Sequence, residues 1–173
     1  MITALQLAEI MQRSLADSTE WLPSINNVMD KYSINTNLRC AHFLAQIGHE
    51  SMRLHYTKEL ASGKAYEGRK DLGNTYLGDG IKYKGRGLIM VTGRYNYEIL
   101  RKELNVDCID HPELLETQHN AALVAGWFWN KNRLNNLADL DLLTQITRKI
   151  NGGINGLEDR RLILSRAKKA LGI

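Results

Sequence analysis

Only two cysteines, Cys40 and Cys108, and two prolines occur in the 173 residues of this chain. Two cysteines are too few for a disulfide-stapled scaffold, and without a CxxC spacing they read as free thiols of a reducing compartment. No stretch approaches the roughly 18 uninterrupted apolar residues that a membrane-spanning helix requires. The first residues, Met1-Ile2-Thr3-Ala4-Leu5, lack the basic and apolar regions of a signal peptide, so a protein that is not exported by its own signal is expected. Internal repeats, low-complexity tracts and linkers are also missing, which leaves one domain over residues 1–173. With 43% hydrophobic and 24% charged residues, that domain has the composition of a folded globular protein.

Charge is only mildly one-sided: 23 basic against 19 acidic residues give +4. Its distribution says more. Residues 82–102 hold six basic side chains against Glu98 alone, and residues 157–173 hold five against Glu158 and Asp159. Nucleic acid, a membrane surface and an anionic cell-wall glycan all satisfy such a surface. No helix-turn-helix, zinc or RNA-binding signature accompanies the basic residues, so no nucleic-acid partner is expected.

Apolar periodicity predicts helices over 3–14, 23–32, 36–50, 95–104, 112–130, 140–150 and 157–171, with Pro23 or Ser24 opening the second and Pro112 in the first turn of the fifth. The third, with Leu38, Cys40, Ala41, Phe43, Leu44, Ala45 and Ile47, is apolar on nearly every side and so is enclosed by the others. Between 62 and 93 the period breaks, with glycines at 63, 68, 73, 78, 80, 85, 87 and 93. Residues 83–92 read as one or two short strands, Leu88-Ile89-Met90-Val91 best of all, giving at most a short β-hairpin. A glycine-rich segment this long inside a helical domain is a functional signal.

The chemistry is expected where that segment meets the buried helix. Glu50 ends the helix, where burial and the helix dipole both favour the protonated carboxyl of a general acid. A second carboxylate must then lie roughly 6.5–9.5 Å away to activate a water in an inverting glycosidase. Glu59 and Glu67 both satisfy the spacing, which does not choose between them. His49-Glu50 begins like a metalloprotease HExxH but has Arg53 where the second histidine belongs, so no metal site or cofactor is expected. Residues 78–87 lack GxxxxGK[ST], and no GxSxG occurs.

Four segments in one order resemble glycoside hydrolase family 19, the family of chitinases and some phage endolysins. They are Phe43-Leu44-Ala45-Gln46-Ile47-Gly48-His49-Glu50-Ser51, Tyr83-Lys84-Gly85-Arg86-Gly87-Leu88-Ile89, Thr92-Gly93-Arg94-Tyr95-Asn96-Tyr97 and Ile150-Asn151-Gly152-Gly153. The resemblance implies a mainly α, lysozyme-like, two-lobed domain with a central cleft and an inverting mechanism. It implies Glu50 as general acid, Glu59 as the favoured base, and Thr92 as the hydroxyl that helps hold the water. It further implies Tyr95, Asn96 and Asn151 as sugar contacts and Arg86 as part of the motif that shapes the cleft floor. Met90 stands where the family usually has glutamine, and a thioether cannot replace an amide's donor and acceptor.

The expected function is that of a monomeric endolysin cutting β-1,4 bonds of peptidoglycan, waiting in a host cytoplasm until a holin releases it to the wall. Chitin cleavage is the alternative within the same chemistry. A third reading, from another class, is a lytic protein that acts without catalysis through its last helix, where Leu157, Leu164 and Leu171 form a stripe beside Arg160, Arg161, Lys168 and Lys169 and contact an anionic outer membrane. Several residues also have plain structural readings: Thr92 and Asn96 suit the cap of the helix near Tyr95, Asn151-Gly152-Gly153 suits a helix stop, Trp127 and Trp129 suit packing, and Arg86 suits an ion pair with Glu50 or Glu59.

Overall fold

A computed structural model describes all 173 residues and contains nine α-helices. Helix α1 (Ala4–Met11) starts in a capping box, with the Thr3 hydroxyl accepting from Gln6 N–H and the Gln6 amide accepting from Thr3 N–H. Helix α2 (Leu15–Lys31) starts eight residues before the expected Pro23, because Ser14 already caps it at Asp17 N–H. Pro23 lies inside the helix instead. The carbonyl that it deprives of a donor is that of Thr19, and both residues are exposed, so water replaces the lost bond.

Helix α3 (Asn37–Glu50), capped by Thr36, is the enclosed helix that its composition predicts: every residue from Cys40 to Gly48 is buried. Helix α9 (Leu157–Leu171) runs along it, close enough that a Cβ on Gly48 would lie 3.4 Å from Ile163. Helix α6 (Gln118–Lys131) divides the molecule. Its Ala121, Ala122, Ala125 and Trp129 face the large apolar cluster built on α1, α2, α3 and α9, where Phe43 and Trp129 meet edge to face. Its Val124 and Trp127 face a second cluster around Tyr83, Tyr97, Leu100, Cys108 and Leu115. These are the two lobes. No helix is long and apolar enough to cross a membrane.

Three further differences from the expected elements follow. The helix expected over 112–130 is a 3₁₀ turn, Pro112–Glu116, followed by α6, because the extended Thr117 caps a new helix at Asn120. The helix expected over 140–150 is preceded by an unforeseen α7 (Leu134–Asp139) and shortened to α8 (Leu143–Asn151). The strand expected at Leu88–Val91 does not form. Arg86 and Val91 exchange backbone hydrogen bonds, but Gly87 and Met90 take positive φ and Leu88 N–H donates to the Ala121 carbonyl, so the apolar run dives into the core.

The irregular segment 51–93 contains the short α4 (Asp79–Lys82) and is fastened to α5 (Arg94–Leu104) by a clasp absent from the sequence reading. Arg94 donates to both oxygens of the buried Asp79, at 2.9 and 2.6 Å, and its guanidinium stacks between Tyr76 and Tyr83. Asn74 completes the clasp: its side-chain oxygen accepts Arg94 N–H at 2.9 Å, satisfying the start of α5 from a distant segment.

Two outcomes test this architecture. A Cβ on Gly126 of α6 would lie 2.3 Å from Val28 Cγ1 on α2 and 2.5 Å from the ring of Tyr32, the residue that caps its C-terminus. Overpacking of about 1–3 kcal/mol exceeds the ~1 kcal/mol that alanine gains in a helix, so Gly126→Ala lowers the denaturant midpoint with an unchanged m-value. The Arg94 hydrogen bonds hold the Asp79 carboxyl below its ordinary range. A depressed folded pKa stabilises above the unfolded value of about 3.9 and loses that contribution as pH falls toward the folded one. Asp79→Asn therefore flattens the fall of melting temperature below about pH 4.

Candidate active site

Glu50 is the last residue of α3, and its side chain is 18% exposed. Its surroundings are not the purely apolar enclosure expected from the helix. Arg160 of α9, fully buried, donates at 2.5 Å to Glu50 Oε1 and at 2.5 Å to Gln46 Oε1, and Gln46 in turn donates to Thr147 of α8. One guanidinium thus orients the carboxylate from behind. The adjacent His49 faces away, bonded to Asp159 at 2.7 Å and packed against Gly156. Met52, Arg53 and Leu54 then have φ of 48°, 59° and 65°. Three successive left-handed residues without glycine are costly, on the order of 1 kcal/mol each, and turn the chain sharply out of α3. The turn is held by Ser51, whose Oγ accepts Leu54 N–H, and by Arg53 N–H donating to the Gly48 carbonyl.

Beyond the turn, Glu59 is anchored to the irregular segment. Glu59 Oε1 accepts the backbone N–H of Gly85 at 2.9 Å, and Oε2 accepts the Tyr66 hydroxyl at 2.8 Å. Burial and the neighbouring Glu59 push the Tyr66 phenol up, so it stays a donor. Gly85 is shared. A Cβ there would lie 3.4 Å from Glu59 Cδ, 3.3 Å from Thr92 Oγ1 and 3.2 Å from Met90 Cβ, so the carboxylate, the hydroxyl and the base of the Met90 side chain flank one bare backbone position.

Glu67 has a different setting. Both its oxygens accept backbone amides, Gly78 N–H at 2.6 Å and Gly80 N–H at 2.8 Å, closing the loop that precedes α4. Arg86 pairs with neither Glu50 nor Glu59. It is buried and donates to Glu116, to the Lys82 carbonyl and to the Tyr97 hydroxyl, which places it beneath the segment as a strut.

Thr92 and Asn96 do not cap α5. Its N-cap is Gly93, without a side-chain bond, and Asn74 has taken the capping task. Thr92 Oγ1 donates to Met90 O at 2.9 Å, and Asn96 Nδ2 donates to Thr92 O at 2.8 Å. Both line a cavity of about 400 Å³ that also includes Met90, Trp127, Phe128 and Ile150. Trp127 and Phe128 are therefore cavity wall as well as packing. Tyr95 is 59% exposed in the first turn of α5, and Asn151, exposed at the end of α8, follows the cavity-lining Ile150. Arg160, Tyr66, Gly85 and Asn74 escaped the sequence reading, since each acts through contacts 7 to 110 positions away. No group of three His, Cys, Asp or Glu side chains converges to hold a metal ion.

No family model matches the chain. Comparison with known proteins gives 31% identity over 168 residues with a glycosyl hydrolase family 19 domain-containing protein of Haemophilus influenzae, covering 79% of this chain and 82% of that one. An endochitinase of Arabidopsis thaliana is 36% identical over 115 residues, 65% of this chain, which spans only 39% of the plant protein's length. Among solved structures, chitinase C from Streptomyces griseus superposes with a TM-score of 0.76 at 22% identity, over 99% of this chain and 76% of that one. A bacterial family 19 chitinase superposes with a TM-score of 0.75 at 21% identity, over 99% and 95%. The structural likeness carries the fold, and the identity shared along most of both chains with the Haemophilus protein carries the descent: this chain belongs to glycosyl hydrolase family 19 and is a glycosidase.

Proposed function

We propose that this glycosidase is an endolysin that hydrolyses β-1,4 bonds of peptidoglycan with inversion of the anomeric centre. Glu50 protonates the departing glycosidic oxygen, and Glu59, with Thr92, directs a water onto the opposite face of the anomeric carbon. The observation that carries this reading is the placement of Glu59 and Thr92 on either side of Gly85, with both carboxylate oxygens aimed by Gly85 N–H and Tyr66 O–H. Two fixed donors leave the outer lone pairs of the carboxylate for a water. Glu67 also receives one donor on each oxygen, but these are the Gly78 and Gly80 amides of the loop before α4, and it does not share the Gly85 position with Thr92 as Glu59 does.

Peptidoglycan is preferred to chitin on net charge: +4 suits an anionic polymer and is of no use to a neutral one, although within segment 82–102 Arg86 and Arg94 are engaged with Glu116 and Asp79. The named plant relatives are endochitinases, so chitin is the alternative that product analysis must separate. The non-catalytic membrane reading loses support, since α9 places Ile163, Leu164 and Ala167 in the core and packs Leu157 and Leu171 against it. The two buried free thiols suit residence in a host cytoplasm until a holin-type lesion opens the way to the wall.

Glu50→Gln lowers the clearing rate of permeabilised cells by at least about 100-fold without unfolding the protein. Substantial residual lysis would overturn the assignment. Glu59→Gln has an effect of the same size, whereas Glu67→Gln lowers the melting temperature and leaves activity per folded molecule near wild type. Clearing also slows as salt is raised past about 0.1 M, where screening weakens attraction to the wall.

A further inference from the structure

The cavity beside Thr92 and Asn96 has one charged side chain in its lining, Lys131, the last residue of α6. The rest of the wall is mainly apolar, with Ile89, Phe128 and Ile150 among it, and neither Glu50 nor Glu59 takes part. The Lys131 ammonium sits 4.6 Å from the centroid of the Trp127 ring, a cation–π position that holds it in place while leaving its donors free. The one carboxylate within 4 Å is that of Glu103, at 3.9 Å, too long for a hydrogen bond. The other Glu103 oxygen accepts the Trp127 indole N–H at 2.5 Å.

A neutral N-acetylated sugar gains from indole and phenyl walls and from the Asn96 amide, and offers the ammonium only uncharged hydroxyl and carbonyl acceptors. Filling the cavity with such a ligand displaces water from part of the Lys131 head, whose side chain is 44% exposed, and returns neutral hydrogen bonds in place of a charge-assisted one. A ligand carrying a carboxylate supplies the charge-assisted hydrogen bond in a partly apolar setting. We infer that Lys131 is a specificity-determining residue that binds a carboxylate branching from the glycan strand, as the acidic substituent of muramic acid does in peptidoglycan. The inference rests on the peptidoglycan reading above and adds to it the residue that separates an acid-branched strand from a neutral one. The carboxylate comes either from the stem peptide or, where the peptide has been removed, from the lactyl group that carried it.

Wild type, Lys131→Met and Lys131→Arg are compared on three substrates of matched length: peptide-bearing glycan strands, strands stripped by an amidase, and N-acetylglucosamine oligomers. Methionine keeps a stem for Trp127 to pack against, and thermal melting verifies that the variants fold. The expected result is a loss of kcat/KM for Lys131→Met that is about tenfold greater on peptide-bearing strands than on the neutral oligomers, expressed in KM, with Lys131→Arg recovering most of it. An extra loss confined to the peptide-bearing strands identifies a stem-peptide carboxylate, and an extra loss on the stripped strands as well shows that Lys131 also takes the lactyl carboxylate, which is free only once its amide to the peptide is cut. If wild type cuts peptide-bearing strands and Lys131→Met loses the same factor on all three substrates, or none, the inference fails while the peptidoglycan reading stands. If wild type cuts only the neutral oligomers, both fail.

Discussion

Arg160 is the constraint around which the active-site side of this protein is arranged. A fully buried guanidinium costs several kcal/mol in desolvation and persists only where carboxylate and amide oxygens meet it. Here they are Glu50 and Gln46, one helical turn apart on α3, and the arginine reaches them from α9. The ion pair therefore does two things at once. It sets the packing of the last helix against the enclosed one, and it fixes the direction of the carboxylate that ends the enclosed helix. Its Nε remains without a partner, a cost accepted in the same place.

The consequences run outward along the chain. Because the end of α3 is pinned, the segment that follows must turn sharply, and Met52, Arg53 and Leu54 do so in left-handed conformations that side chains disfavour. Strain of this sort is retained where surrounding contacts outweigh it, and it lies here between the two carboxylates of the proposed mechanism. Beyond the turn the irregular segment is short of apolar material and is held by polar contacts: Glu67 on two glycine amides, Asp79 on Arg94, Arg86 on Glu116, and Glu59 on Gly85 and Tyr66. Gly85 keeps this position open: a Cβ there would lie 3.2–3.4 Å from Met90, Thr92 and Glu59, and these neighbours would have to give by a few tenths of an ångström.

Local signals account well for what was legible. Thr3 and Thr36 cap helices because a hydroxyl in the extended conformation meets an amide three positions on, a rule that operates within a few residues. The burial of α3 and the span Leu157–Leu171 followed from apolar spacing. Where the reading failed, a distant group had changed the local balance. Pro23 stays helical because its lost bond lies on a hydrated face between the buried Trp21 and Ile25. Leu88-Ile89-Met90-Val91 forgoes strand pairing because α6 offers it a carbonyl and an apolar surface. Thr92 is released from capping because Asn74 does it.

The sequence by itself determined a mainly helical domain, the enclosed helix ending at Glu50, the glycine-rich carrier of the site and the family to which the chain belongs. These are properties of period, capping and motif, which act over one or two helical turns. Tertiary structure alone decided that Glu67 closes a loop while Glu59 lies with Thr92 around Gly85, that Arg86 is a strut, and that Lys131 is the one charged side chain lining the cavity beside Thr92. Those outcomes depend on which groups meet across tens of residues of chain. A spacing that permits several meetings cannot rank them until packing has excluded all but one.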